Sequence, residues 1–406
     1  MKRIRVLIGL AVLLMGTLAC ALSPGVPSTP VTLDRVGTLV AATLTAVAEG
    51  GSPAPAPSDT PAPPPTLLPH SVFYLAGDAD GLSQVFRLDS DGATIHQLTD
   101  EPANVDGFDV LPWDGRIAYV ADNQLIVAAG DGSGRTVLVD GGRLGDGAPF
   151  SGRLFSPVWV PDGTAIAFHY NGLSFYQFAS GSVATVIPDQ IDSGSGLPLL
   201  KEGYSPASYS PDGSKLLVFI SYYEAGTLGV YSPAGGGLTK FTSPGGGDIL
   251  GTSAWTPDSA SVLLASQYFG YASPGLDRYN AADGSGAALI ASPNETDLNF
   301  AEAPLLAPDG QLYFFFSHPT SALPGGSVPL QMVRSAADGV SGRTALRPES
   351  FTLLEALWAP DASLAIVNQQ PVGGDVSGGN LALVHTDGQP VVPLPISGAR
   401  LLHWGP

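Results

Sequence analysis

The sequence predicts an all-β, seven-bladed β-propeller, with six blades as the alternative count, and three observations carry that prediction. A Pro-Asp-Gly turn keeps returning: Tyr209-Ser-Pro-Asp-Gly213, Trp159-Val-Pro-Asp-Gly163, Leu306-Ala-Pro-Asp-Gly310, then Trp255-Thr-Pro-Asp-Ser259 and Trp358-Ala-Pro-Asp-Ala362 without the glycine. A weaker copy is Pro112-Trp-Asp-Gly115. The turn aspartates Asp114, Asp162, Asp212, Asp258, Asp309 and Asp361 are 48, 50, 46, 51 and 52 residues apart, the period of a four-stranded propeller blade. Four of the five tryptophans, Trp159, Trp255, Trp358 and Trp404, stand two residues before a proline.

Each repeat has a physical logic. An aromatic or apolar residue ends one strand, and Pro presets φ near −65° at the first turn position. Asp bonds locally, and Gly takes the left-handed position that follows. Ser259 and Ala362 occupy that last position in two copies, so there the turn must relax or accept strain of about 1 kcal/mol. The apolar runs after the turn, such as Leu216-Leu-Val-Phe219, read as strands buried on both faces. A second hairpin per unit is marked by Asp91-Gly92, Asp131-Gly132, Gly235–Gly237, Asp283-Gly284, Asp338-Gly339 and Asp387-Gly388.

The ends complete the count. Residues 72–99 supply three strands with no Trp-x-Pro strand before them, and Leu401-Leu-His-Trp-Gly-Pro406 supplies that strand with nothing after it. Pairing the two ends in one blade closes the ring and removes an exposed sheet edge.

The Trp-x-Pro-Asp-Gly-x-x-Ile-Ala-Phe pattern, followed by a strand ending in Asp-x-Asp-Gly, resembles the WD-like repeats of TolB-type propellers. It is similar as well to the propeller domains of prolyl oligopeptidase-like enzymes. The resemblance covers residues 70–406 and implies the fold; propellers host many activities, so it implies no reaction.

Before the propeller, Met1-Lys-Arg-Ile-Arg5 is a basic start and Val6–Ala19 a nearly unbroken apolar run. That run is too short to span a bilayer and fits a signal peptide over 1–19. Cys20 is the one cysteine of the chain. Thr17-Leu18-Ala19-Cys20 resembles a bacterial lipobox, with Thr17 where such motifs favour Leu, which makes Cys20 the expected lipidation site. In the segment 20–69, Leu33, Val36, Val40, Leu44 and Val47 follow a helical period diluted by Thr and Ala. The Pro/Ala-rich stretch 52–66 is a semi-rigid linker of about 45 Å.

The formal net charge is −19, and removal of Lys2, Arg3 and Arg5 leaves −22. Only four lysines occur. Nucleic acid is excluded as a partner on that balance, and the membrane is reached through the lipid alone. The apolar content of 44% is enough to fill a core.

The residues announce no reaction. His70, His96, His169, His318, His385 and His403 are scattered without metal-ligand spacing, and no Gly-x-Ser-x-Gly occurs. No catalytic residue, metal or cofactor is expected. Asp78-x-Asp80-Gly81 and Asp89-x-Asp91-Gly92 place Gly fourth where a calcium loop needs it sixth, so hairpin turns account for them better. Asn294-Glu-Thr296 matches a glycosylation sequon, a weak reading in the bacterial setting that the lipobox resemblance implies.

Long loops say more. Second-to-third-strand loops and blade-to-blade connections emerge on one propeller face, and there the chain grows, at 140–155, 188–204, 221–226, 267–276, 318–328 and 369–379. Gly/Ser loops bearing Tyr204, Tyr222, Tyr223, Tyr268, Phe269, Tyr271 and His318 form the candidate binding face. The expected function is a membrane-anchored extracytoplasmic lipoprotein that binds a protein, peptide or glycan without chemistry. The alternatives are a channel enzyme, hydrolase or lyase, and a structural envelope module.

Overall fold

The structure, a computed structural model, describes residues 66–144, 151–192, 194, 199–267, 274–292, 294, 296–319, 328–370 and 378–406. All of them belong to the second of two units, Pro64–Pro406. The signal peptide, Cys20 and nearly all of the linker lie outside the described residues, as do Tyr268, Phe269 and Tyr271.

Every regular element among the described residues is a β-strand, and the strands form seven antiparallel sheets. Blade 1 begins at Val105–Val110, blade 2 at Leu154–Trp159, blade 3 at Leu199–Tyr209, blade 4 at Thr252–Trp255, blade 5 at Phe300–Leu306 and blade 6 at Leu353–Trp358. These first strands are the innermost of their sheets, and three more follow outward in each. Blade 3 carries a fifth strand, Gln190–Asp192, on the inner side of its long first strand. Seven blades is therefore the count, and the weak copy at Pro112 is a true repeat.

Blade 7 is split as the sequence predicts. Arg400–Trp404 is its innermost strand and pairs antiparallel with Val72–Gly77, Val72 opposite Trp404 and Phe73 opposite His403. Two further hydrogen bonds extend the seam, from Gly405 N–H to Ser71 O at 2.8 Å and from Ser71 N–H to Pro406 O at 3.4 Å.

The core sits between blades rather than at a single centre. Seven apolar clusters occupy the seven seams: Leu111, Val120 and Leu125 of blade 1 meet Trp159, Ile166 and Phe168 of blade 2, for example. The others fill the remaining seams in the same way. Strands buried on both faces explain why apolar runs, not alternation, mark them in the sequence.

The turns behave as their chemistry requires. In all six, the Asp Oδ1 accepts the N–H two residues on, at 2.9–3.0 Å. Ser259 and Ala362 hold φ of 56° and 58°, so these two turns accept the strain. Both are buried, and Ser259 Oγ also accepts the N–H of Asp212 at 3.1 Å in the neighbouring blade. Asp78 Oδ1 accepts N–H bonds from Asp80 and Leu82, and Asp91 Oδ1 from Ala93 and Thr94, as hairpin turns do.

Candidate functional site

All seven innermost strands line a central cavity of about 1350 Å³. They run from the long-loop face inward to the Pro-Asp-Gly turns. The cavity is lined by Asp106, Arg153, Gly251 and Leu401 at strand starts, by His169, Ser221 and Tyr222 at second-strand ends, and by Val158, Ser208, Ala254 and His403 toward the Pro-Asp-Gly turns, so it runs along the length of the inner strands. Pro157, Pro206, Pro304, Phe108, Ala356 and Leu402 give it a mainly apolar lining.

The lining strands are irregular. Register shifts interrupt the innermost strands of every blade but the fourth. Ser156, Ala303 and Leu401 hold equivalent positions in blades 2, 5 and 7 and have φ of 51°, 49° and 53°. Such bulges and left-handed residues re-aim side chains and collect at functional sites.

Two ionisable groups face each other across the seam between blades 7 and 1. His403 Nδ1 lies 3.4 Å from Asp109 Oδ1, and the edge of Phe108 packs on the imidazole with centroids 4.9 Å apart. Asp109 Oδ2 accepts the backbone N–H of Trp159 at 2.7 Å. Burial pushes the Asp109 carboxyl above the usual range, and His403 and that N–H only partly offset it. Glu355, in blade 6, accepts the N–H of Leu402 at 2.8 Å and is likewise raised by burial. Glu302, one seam further round, is pushed up to about 7 by burial against weaker bonds from Thr252 and Gln267. Each of these carboxylates ties one blade to another.

A second cluster sits at the mouth between blades 2 and 3. His169 Nε2 is 3.4 Å from Asp189 Oδ2, and both side chains are 4% exposed. His169 Nδ1 lies 3.0 Å from the carbonyl oxygen of Tyr204, while Asp189 Oδ1 accepts the Tyr204 N–H at 3.2 Å. A carbonyl oxygen only accepts, so a bond at that distance needs Nδ1–H, which leaves Nε2 facing the carboxyl. Phe155 stacks on the imidazole with centroids 4.0 Å apart. Burial lowers the His169 pKa and raises that of Asp189, each partly offset by the other's charge.

The residues expected on the binding face separate here. Tyr222 lines the cavity, half-buried, and Tyr223 projects at 66% exposure. Tyr204 is buried, its hydroxyl donating to Glu202 and meeting Gln190 at 3.0 Å, and burial pushes its pKa up to about 12. It serves the scaffold beneath the mouth rather than its surface. His318 is exposed in a blade 5 loop, 3.0 Å from Asn299 Oδ1, and does not line the cavity.

Sequence reasoning passed over Asp109, His403, His169, Asp189, Glu355 and Arg153. A signal existed for two of them. The residue before the blade's last aromatic or apolar position is Val158, Ser208, Ala254, Leu305 or Leu357 in five repeats, but Asp109 and His403 in the other two. Ring closure makes those two copies neighbours.

A scan against protein-family models finds no match, and a search of curated proteins finds none either. Among solved structures, TolB from Acinetobacter baumannii is similar with a TM-score of 0.43 and 14% identity, over 93% of this chain and 74% of that one. A structure from work on two prolyl endopeptidases gives 0.52 and 12%, over 82% of this chain and 50% of that one. A puromycin-hydrolyzing peptidase of Mycobacterium tuberculosis gives 0.51 and 15%, over 81% and 52%. The chain spans about half the length of those two peptidases. At such identities the likeness is one of fold.

Proposed function

We propose that the propeller is the binding module of a lipid-anchored extracytoplasmic protein, taking a protein, peptide or glycan partner at the channel mouth without acting on it chemically. The observation that carries this reading is the cavity itself. An opening of about 1350 Å³ with a mainly apolar wall and a few convergent polar groups is the usual form of a ligand site. Tyr222 and Arg153 stand at its mouth with Tyr223 exposed nearby, and aromatic and arginine side chains supply most anchoring energy in interfaces. The anchor at Cys20 and the Pro/Ala-rich linker would tether the propeller to the membrane.

The test is site-specific photocrosslinking in intact cells. A crosslinker at Tyr222 or Tyr223 is expected to give a discrete adduct that the same crosslinker at Gly310, on the turn face, does not. Equal labelling from both faces, or none from the mouth, overturns the reading.

One observation favours a second reading, a channel enzyme. His403 is a third exposed to the cavity and has a carboxylate at its Nδ1, an arrangement that fixes a tautomer for proton transfer. Turnover of a substrate that His403→Gln abolishes, with binding retained, would decide for it.

A further inference from the structure

We propose that the cavity receives the free C-terminus of a peptide, with Arg153 holding the terminal carboxylate and the apolar wall taking the last side chains. This rests on the reading of the cavity as a binding site and names the chemistry that the site selects.

Arg153 is a cation fixed in place and left without a partner. It stands exposed at the start of the blade 2 inner strand and, among the described residues, is the one lysine or arginine of the lining. Its side chain makes no ion pair or hydrogen bond to any of them. Its backbone is pinned on both sides. Asn123, 9% exposed, donates from Nδ2 to the carbonyl oxygen of Gly152 at 2.9 Å, and its Oδ1 accepts the N–H of Leu154 at 2.8 Å. The Gly152 N–H donates to Asn171 Oδ1 at 2.7 Å. Both peptide groups that flank Arg153 are therefore held. A guanidinium on a fixed stem loses less freedom when it grips a ligand, and its planar fork matches a carboxylate in two parallel bonds.

The carboxylates further along the channel are engaged elsewhere: Asp109 with His403 and the Trp159 N–H, Asp189 with the Tyr204 N–H, Glu355 with the Leu402 N–H. Asp106, exposed on the lining in blade 1, is the other charge with no partner among the described residues, and as a carboxylate it only accepts. A peptide terminus brings what each needs, a carboxylate for Arg153 and backbone N–H groups for Asp106. An acyl chain brings the carboxylate alone.

Between the mouth and the turns lies an apolar collar. Two positions before its last aromatic or apolar residue, each inner strand gives one side chain to the lining: Phe108, Pro157, Ala207, Pro304, Ala356 and Leu402, with Ser253 in blade 4. The collar suits apolar side chains, whereas a sugar would leave hydroxyls unpaired against it.

The probes are N-acetylated tripeptides ending in alanine, valine, leucine or phenylalanine, each as free acid and as amide, titrated calorimetrically into the full-length protein. The acid forms are expected to bind about tenfold or more tightly than the amides. Arg153→Gln should bring acid and amide together, and Arg153→Lys should keep part of the difference. Ala356→Leu, which narrows the collar, should weaken both forms alike. Thermal melts of the variants check that each remains folded. Equal binding of acid and amide by the wild type overturns the proposal, as does a preference that survives in Arg153→Gln. So do undiminished binding in Ala356→Leu and no binding of any probe at about 1 mM. Dodecanoate is the control: if it binds as tightly as the peptides and with the same dependence on Arg153, the site is one for an acyl carboxylate and the peptide reading falls. Crosslinks from Tyr222 in cells without an acid preference would sink terminus recognition and keep the binding site, so the two fail separately.

Discussion

The indole N–H of Trp404, the third-last residue of the sequence, donates to the carbonyl oxygen of Trp358 at 2.7 Å. Trp358 makes the same kind of bond to Ala303 at 2.7 Å, and Trp255 to Ser208 at 3.4 Å. The repeat tryptophan is thus a clasp, reaching back to the innermost strand of the preceding blade. In blade 7 the clasp is also the closure of the ring.

Removing residues 401–406 is therefore expected to be costly. The deletion takes away the innermost strand of blade 7, the Trp404 clasp and the N–H that Glu355 accepts. Truncating a fully buried tryptophan costs about 3–5 kcal/mol; Trp404 is only partly buried, so its own share is smaller, and the lost strand and the opened, aggregation-prone edge add to it. Thermal denaturation should show a large drop for this deletion and almost none for an equal deletion within residues 54–65.

Two tryptophans that look alike in sequence should respond differently. Trp358 Nε1 is bonded, whereas Trp159 Nε1 is buried without a partner in the structure. Trp159 is held instead by stacking on Phe178 and by the Arg116 guanidinium 5.1 Å from its ring centroid. Trp358→Phe strands the Ala303 carbonyl and should cost about 1–3 kcal/mol beyond the change in packing. Trp159→Phe removes an unsatisfied donor and should be close to neutral by that measure. Urea unfolding of the two variants side by side checks it.

Glu302 should make stability depend on pH. Its pKa rises from 4.5 to about 7 on folding, so its contribution is fully present below about 4.5 and is lost as pH rises through about 7. The linkage corresponds to about 3 kcal/mol at most. Glu302→Gln keeps a carboxamide for Thr252 and Gln267, and should flatten the stability profile between about pH 5 and about pH 8. A slope unchanged in the variant would assign the effect to another group.

Cys20→Ser tests the proposed anchor. The variant should move from the membrane fraction to the soluble extract or medium while its signal is still cleaved. Continued membrane association of the cleaved variant would refute lipid anchoring.

The architecture was legible because it is written in local chemistry and repeated. A Pro-Asp-Gly turn depends on φ preferences of three adjacent residues, and the period between turns counts the blades. The split blade was legible for the same reason, since each chain end carries the strands the other lacks. The aromatic loops were read less well. Tyr204 and Tyr222 have similar Gly/Ser-rich surroundings, yet the first is buried under the mouth and the second lines it. Loop composition does not state which way a side chain points.

By itself, the sequence determined the all-β class, a propeller of seven or six repeats, the turn geometry and the pairing of the two ends, because each follows from residues close together or from a regular period; the seven sheets of the structure settled the count. Tertiary structure alone decided which side chains share the channel. Asp109 and His403 are 294 positions apart in the chain and 3.4 Å apart in the ring. His169 and Asp189 meet around a backbone that belongs to the next blade. Closing a ring of repeats brings equivalent positions of successive blades together, so the site is set by which copies depart from the repeat and by where closure places them. That contact is made by the fold, and no local preference of the chain encodes it.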